Sequence, residues 1–422
     1  EALSTLPEPY RHHWPQGELF TGWTYPPNDY KKWGELVYQW VLHCIARYGK
    51  AEVAGWNWEV WNEPDIGYWH GTPEQYDKLY DYAVAGVRRA LPEAKVGGPA
   101  TTGPGVAKAA EFLRQFLQHC ATGKNFATGN LGAPLDFISF HAKGSPEVND
   151  GRVKMGLAHE LRDVDEGLKI VASFPQFARL PVILTEADPE GCAACSAKDH
   201  PQNAYRNGTL YPAYTAVAIR EMLDLNERSK TNLTGILTWA FEFEEQPYFQ
   251  GYRTLATNGI DKPILNVFRM LGMMPGERVE MKSSAAVGLD EILSSGVRGR
   301  VSVDGLAARG DHALAVLVWN YLDEESAGSE MPLELNIAGL PVSAKKVLVK
   351  HYRIDQDHSN SYTVWKAMGS PQSPTREQYQ ALRAAGQLQL LESPRWMESK
   401  EGAVRLSFPM PGESVSLLEL SW

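Results

Sequence analysis

Two glutamates carry the chemistry this sequence suggests first. Glu63 ends the stretch Trp56-Asn57-Trp58-Glu59-Val60-Trp61-Asn62-Glu63 and precedes Pro64. Glu186 ends Pro181-Val182-Ile183-Leu184-Thr185-Glu186. Both stretches read as buried strands with a carboxylate at the C-terminal tip. Trp, Val and Ile favour a pleated surface, and Pro64 cannot continue a ladder. Two carboxyl groups converging on a cleft are what glycosidic-bond cleavage needs. One protonates the leaving oxygen, and the other attacks the anomeric carbon or activates water. Burial beside a negative charge keeps the acid protonated near neutral pH. A single strand-end Glu is often only a solvated charge. Two of them, one within Trp-Asn-Glu-Pro, favour catalysis.

Other polar and aromatic residues fall on the same strand ends. Asn62 precedes the first carboxylate, and its amide suits a sugar 2-hydroxyl; the plain alternative is an amide bonded to backbone. His141 ends Leu135-Asp136-Phe137-Ile138-Ser139-Phe140-His141. It suits a carboxylate or a sugar hydroxyl, although a lone strand His is more often structural. Trp239 lies on the stretch 233–241, where its ring offers a platform for a sugar face or ordinary core packing. Glu244 and Glu245 follow, and acceptor-only groups suit sugar hydroxyls, with solvated loop charge as the alternative. Cys192 and Cys195 form Cys-Ala-Ala-Cys, but no second pair or His pattern supports zinc, so a structural or incidental reading is preferred. Cys44 and Cys120 fall on apolar helical faces and read as small core residues. Asn207-Gly208-Thr209 and Asn232-Leu233-Thr234 match a glycosylation pattern that is common by chance. No phosphate-binding Gly loop, dinucleotide fingerprint or metal cluster appears, so no cofactor and no metal are expected.

The elements that must position these groups alternate. After Glu63, Thr72 caps a helix, with Pro73 in its first turn and Gln75 placed to close a capping box. Tyr76, Leu79, Tyr80, Ala83 and Val87 then recur at helical spacing. Strands are expected near residues 56, 95, 135, 181 and 233, and helices over 29–48, 72–91, 106–120, 153–172, 211–225 and 263–271. Such alternation means parallel strands with helical crossovers, and in a β/α barrel chemistry sits at the C-terminal strand ends. Five strands fall short of about eight, so three strands and two helices would precede residue 1. Residues 1–26 read as a long loop. From about 275 the pattern becomes alternating segments at 301–303, 313–321, 333–337, 346–354, 403–408 and 414–420, an antiparallel β-sandwich. A helix near 375–385, with a capping box at Thr375 and Gln378, interrupts it. The expected fold is α/β: an N-terminally incomplete (β/α)8 TIM barrel over 1–274, then a β-sandwich domain over 275–422.

Composition narrows the partners. The chain has 422 residues, 43% hydrophobic and 22% charged, which fits a folded protein of two domains. A net charge of −10 speaks against nucleic acid as a partner. No apolar run approaches the roughly 18 residues that span a membrane. Thirteen Trp and eighteen Tyr suit a sugar cleft, where flat amphipathic rings pack on sugar faces.

These residues resemble glycoside hydrolase family 39, within the clan of retaining β/α-barrel glycosidases. The resemblance is carried by Trp58-Glu59-Val60-Trp61-Asn62-Glu63-Pro64-Asp65, by Asp136-Phe137-Ile138-Ser139-Phe140-His141-Ala142-Lys143-Gly144 and by Ile183-Leu184-Thr185-Glu186-Ala187-Asp188. Thr238-Trp239-Ala240-Phe241-Glu242-Phe243-Glu244-Glu245 and His351-Tyr352-Arg353-Ile354-Asp355 extend it. The resemblance implies that Glu63 is the general acid/base and Glu186 the nucleophile of a retaining reaction without cofactor. It implies sugar contacts from Asn62, His141, Glu244 and Glu245. Some relatives carry an aromatic residue where Lys143 stands, so this cation changes what neighbours the nucleophile or the sugar. Family members also have roughly a hundred further N-terminal residues holding the first three barrel strands.

Within the family the chain looks most like bacterial β-xylosidases. The first expectation is therefore an exo-β-xylosidase acting on short β-1,4-xylo-oligosaccharides or aryl xylosides. An α-L-iduronidase keeps the mechanism and needs cations for the substrate carboxylate, for which Lys143 is a candidate. A non-catalytic sugar-binding protein is the third expectation, and the retention of both glutamates argues against it. Compartment and oligomeric state leave no signature in these residues.

Overall fold

A computed structural model describes residues 24–243, 245–324 and 330–422. Glu244 and residues 1–23 of the expected opening loop lie outside the described residues. Chain contacts divide the protein into two compact units. The first comprises Glu1–Lys143, Arg162–Ala187 and Leu225–Thr238; the second comprises Gly144–Leu161, Asp188–Asp224 and Trp239–Trp422.

The first unit is built on a five-stranded sheet of β1 Asn57–Glu59, β2 Lys95–Thr101, β3 Phe137–Lys143, β4 Val182–Asp188 and β5 Leu233–Ile236. Spatial order follows chain order. The pairs β1–β2, β2–β3 and β4–β5 are parallel. The sheet thus has the five strands expected at 56, 95, 135, 181 and 233. Strands β2 and β3 are buried at nearly every position, as strands covered on both faces are. Helices α1 Tyr30–Tyr48, α2 Pro73–Ala90 and α3 Ala107–Thr122 fill the connections. Asp29 caps α1 by accepting from Lys31 and Lys32 N–H, and Thr72 with Gln75 closes the capping box of α2. The α2 stripe is buried as its spacing requires: Tyr76, Leu79 and Tyr80 are wholly enclosed, and Trp33 of α1 donates from Nε1 to Leu79 O at 3.1 Å.

Three boundaries differ from expectation. β1 ends at Glu59 and does not reach Glu63. Trp61 (φ 75°) and Glu63 (φ 47°) adopt left-handed backbone that leaves the pleat, although Val60 and Glu63 N–H still bond to Gly97 and Ala100 O of β2. β5 stops at Ile236 and does not run to residue 241; the Leu237 N–H bonds to Leu184 O at 2.9 Å, and the ladder ends there. The helix expected over 153–172 starts at Leu157. Arg152–Lys154 instead pairs with Glu147–Asn149, and Gly156, a poor helix former, separates the two elements.

The second unit carries antiparallel sheets. Glu277–Val279, Ser302–Arg309, Ala313–Tyr321, Ser414–Ser421, Lys346–Ile354 and Gln389–Leu390 lie side by side, with Arg395–Glu398 also on Lys346–Ile354. A separate ribbon pairs Met331–Ile337 with Val404–Met410. The alternating inner residues of both sheets meet in one core that includes Val316, Val318, Ile337, Val349, Leu406 and Leu418. Arg376–Ala385 is helical with the Thr375–Gln378 capping box; a further helix, Ser361–Ala367, is capped by Asn360. Cys192 and Cys195 are joined in a disulfide. Among the described residues no helix is long and apolar enough to cross a membrane.

Candidate active site

Strand alternation places Ser139, His141 and Lys143 on one face of β3. His141 is almost wholly enclosed, at 1% exposure. Its Nδ1 lies 2.8 Å from Glu63 Oε1, with one proton between them, and 3.8 Å from Glu186 Oε2. The Lys143 ammonium donates to Glu186 Oε2 at 2.7 Å. One carboxylate oxygen of Glu63, one of Glu186 and a ring nitrogen of His141 all lie within 4.8 Å of one another. The two glutamates therefore converge, together with His141 and Lys143, although Glu63 lies past the end of β1 and Glu186 two residues before the end of β4.

Local backbone holds this geometry. The left-handed conformation at Glu63, a cost tolerated where surroundings fix it, is tied by its N–H to Ala100 O at 2.8 Å. Buried Asp65 accepts from the Thr102 N–H at 2.8 Å and from the Thr102 hydroxyl, pinning the chain just after Glu63-Pro64. Buried Asp163 does the same for Lys143, accepting its N–H at 3.1 Å and the Gly105 N–H at 3.0 Å. A Cβ on Gly103 would fall 1.9 Å from Asp163 Oδ2, so only glycine permits this approach.

Two neighbours were not singled out by sequence. Glu59 is exposed as a whole, but its carboxyl end is crowded beside the Ser139 and Thr185 hydroxyls. Desolvation pushes that carboxyl above the ordinary range, with a smaller push from Glu186; the two hydroxyls and His141 act the other way. Tyr68 has its phenol raised by desolvation and then by the charges of Glu63 and Glu186. Glu59 ends β1 and was passed over between the aromatic residues of its stretch. Tyr68 lies on the loop after Glu63, where no periodicity marks it.

Asn62 is exposed between the two left-handed residues. It lines a cavity of about 390 Å³ with Glu59, Tyr68, Trp58 and Trp61. Trp239 and Glu245 belong to the second unit. There Trp239 is 48% exposed, its backbone N–H donates to Asp188 Oδ1 at 3.3 Å, and its carbonyl accepts from Arg253 Nε at 2.8 Å. Glu245 is exposed at a left-handed turn position (φ 55°), and Glu244 lies outside the described residues. The donor set of Glu63, His141 and Glu186 matches a divalent cation in kind. Lys143 already provides the positive charge on Glu186, so the arrangement suits proton transfer and nucleophilic attack.

Comparison with known proteins gives a family match. The model of the family "Glycosyl hydrolases family 39" matches residues 3–402. A β-xylosidase of Geobacillus stearothermophilus is 28% identical over 94% of this chain and 71% of its own length. An α-L-iduronidase of Mus musculus is also 28% identical, over 92% of this chain and 62% of its own. The structure of a monomeric β-xylosidase from Caulobacter crescentus superposes with a TM-score of 0.70 at 22% identity, over 95% of this chain and 76% of that one. The chain thus spans between about three fifths and three quarters of these relatives.

Proposed function

The chain belongs to glycosyl hydrolases family 39, and from that premise we propose that it is a retaining exo-glycosidase working through Glu63 and Glu186. The observation that carries this reading is the approach of the two carboxylates, with oxygens within 4.8 Å. Retaining enzymes hold their carboxyl groups about 5–5.5 Å apart, and inverting ones about 6.5–9.5 Å, to admit a water. Lys143 engages Glu186 Oε2 and leaves the other oxygen for the anomeric carbon. Glu63 protonates the departing glycosidic oxygen, then takes a proton from the water that hydrolyses the glycosyl–enzyme ester. His141 hydrogen-bonds Glu63 Oε1 and fixes the carboxyl orientation. Asn62 holds the sugar 2-hydroxyl, and the assignment of Trp239, Glu244 and Glu245 to sugar contacts rests on the sequence alone. The catalytic barrel domain is assigned to 1–274 and the accessory sandwich to 275–422.

For the sugar, the first reading is a terminal β-D-xylosyl unit of short xylo-oligosaccharides, supported by the xylosidase relatives. A second reading, a terminal α-L-iduronosyl unit, is favoured by one observation: Lys143 puts an ammonium at the nucleophile. Release of the aryl alcohol from an aryl β-D-xyloside and from an aryl α-L-iduronide, with Glu186→Gln as control, separates them. Turnover of the xyloside by the parent alone supports the first reading, and turnover of the iduronide alone the second. Binding of either sugar without turnover by the parent overturns the enzymatic reading.

A further inference from the structure

The Cys192–Cys195 disulfide lies in the second unit, in the chain that follows β4. Cys192 is exposed and Cys195 half-buried, whereas the free thiols of Cys44 and Cys120 are buried. The ring closes over only two intervening residues, and its carbonyls converge on one fully buried guanidinium. Arg206 Nη1 donates to Cys195 O at 2.7 Å and to Gly251 O at 2.9 Å, and Nη2 donates to Cys192 O at 2.7 Å. Glu190 pairs with Arg206 at 2.7 Å and with Arg253 at 3.2 Å. Arg253 N–H bonds to Ala193 O at 3.0 Å, and its side chain reaches Asp188 at 3.3 Å and Trp239 O at 2.8 Å. A continuous chain of polar contacts therefore links the disulfide ring to the backbone of Trp239.

This setting favours thiol exchange. Cys192 is exposed and so open to attack by a thiolate, while the backbone carbonyls of both cysteines are held by Arg206. Exposed disulfides are the labile ones, and a ring this short adds little chain-entropy stabilisation to the fold. The protein without the bond is thus expected to stay folded, with Arg206 losing the fixed arrangement of its carbonyl acceptors.

We propose that Cys192–Cys195 is a reversible exchange site for a small dithiol, and that opening it loosens the backbone around Trp239. One thiolate of the dithiol attacks Cys192 Sγ, the Cys192–Cys195 bond breaks, and Cys195 leaves as a thiolate and takes up a proton. The second thiol then attacks the mixed disulfide and releases Cys192 as a thiol. The protein gains two electrons and two protons, and the dithiol ends as a cyclic disulfide.

The test treats the full chain with graded dithiothreitol without denaturant. Three readouts follow: accessible thiols, backbone hydrogen exchange over 188–200 and 239–253, and steady-state kinetics. The expected result is no accessible thiol before treatment and two per chain after it, from Cys192 and Cys195. Exchange in both segments rises about tenfold, and reoxidation reverses both changes. A Cys192→Ser/Cys195→Ser variant shows the faster exchange without reductant and no response to it. Thiols that appear only together with global unfolding overturn the proposal, as does unchanged exchange around Trp239. The kinetic arm rests on the reading of Trp239 as a sugar platform and expects KM to rise several-fold with kcat held. Thiol count and exchange decide the redox proposal even in a chain that turns over no sugar, so its failure is distinguishable from that of the glycosidase reading.

Discussion

Lys143 Nζ stands 2.7 Å from Glu186 Oε2, so the cation at the tip of β3 is paired with the carboxylate on the neighbouring β4. The pair is largely shielded, with side chains 14% and 19% exposed. A charge-assisted hydrogen bond of this kind contributes about 1.5–3 kcal/mol, roughly 10- to 100-fold in rate where it orients a reacting group. Lys143→Met should therefore lower kcat/KM by about that factor on an aryl xyloside, mostly through kcat. On a uronide the loss should fall on KM as well, because the same ammonium would face the substrate carboxylate. An unchanged kcat/KM on the active substrate would remove Lys143 from the site.

As the proposed acid/base, Glu63 would act on the leaving group, and the effect of its removal should depend on how much help that group needs. With Glu63→Ala, an activated aryl glycoside should keep a fast first step and accumulate the glycosyl–enzyme. An unactivated oligosaccharide should lose about 10²–10⁴-fold. Added azide, which needs no general base, should restore turnover of the activated substrate. Equal losses on both substrates would reassign Glu63 to a positioning role. Glu186→Ala should abolish both reactions without azide rescue as the retained anomer.

The sequence revealed this site where periodicity and chain chemistry meet. Glu63, His141 and Glu186 were legible because each ends an apolar stretch, and a strand end in a parallel sheet faces one rim. The five strands and both capping boxes followed from local rules. What stayed hidden depends on backbone and on distance along the chain. The left-handed turns at Trp61 and Glu63 have no signature, since neither residue type favours that conformation. Asp163 sits on a helix 20 residues after Lys143, and only the fold shows that it grips that residue's N–H. The Cys192–Cys195 bond was not foreseen: a structural or incidental reading was preferred, because spacing alone does not separate pairing from coincidence.

Asp163 offers a test of that hidden support. Gly103→Ala would thrust a methyl into the Asp163 carboxylate and displace it from the Lys143 and Gly105 N–H groups. The expected result is a loss of about tenfold in kcat, the scale on which small misplacements of a reacting group act. KM for a neutral substrate should change little. Thermal unfolding separates a local shift from a global one. A kcat loss with a Tm drop of only a few degrees supports positioning, and wild-type activity would show that the loop absorbs the methyl elsewhere.

Stability of the second unit should carry its own pH signature. Asp323 is wholly buried; desolvation raises its carboxyl to about 6, against bonds from the Tyr321 hydroxyl and Val297 N–H and the charge of Arg298. Its native value lies above the ordinary 3.8, so the folded state favours the protonated form. That contribution is fully present below about pH 4 and is lost as pH rises through about 6. The span corresponds to roughly 3 kcal/mol at most. Denaturant unfolding at pH 4, 5, 6 and 7 of the parent and of Asp323→Asn isolates it from other carboxyls. The difference between the two proteins should shift in favour of the amide variant as pH rises and level off above about 7. A difference that stays flat from pH 4 to 7 would mean that Tyr321, Val297 and Arg298 together outweigh desolvation and keep Asp323 charged throughout.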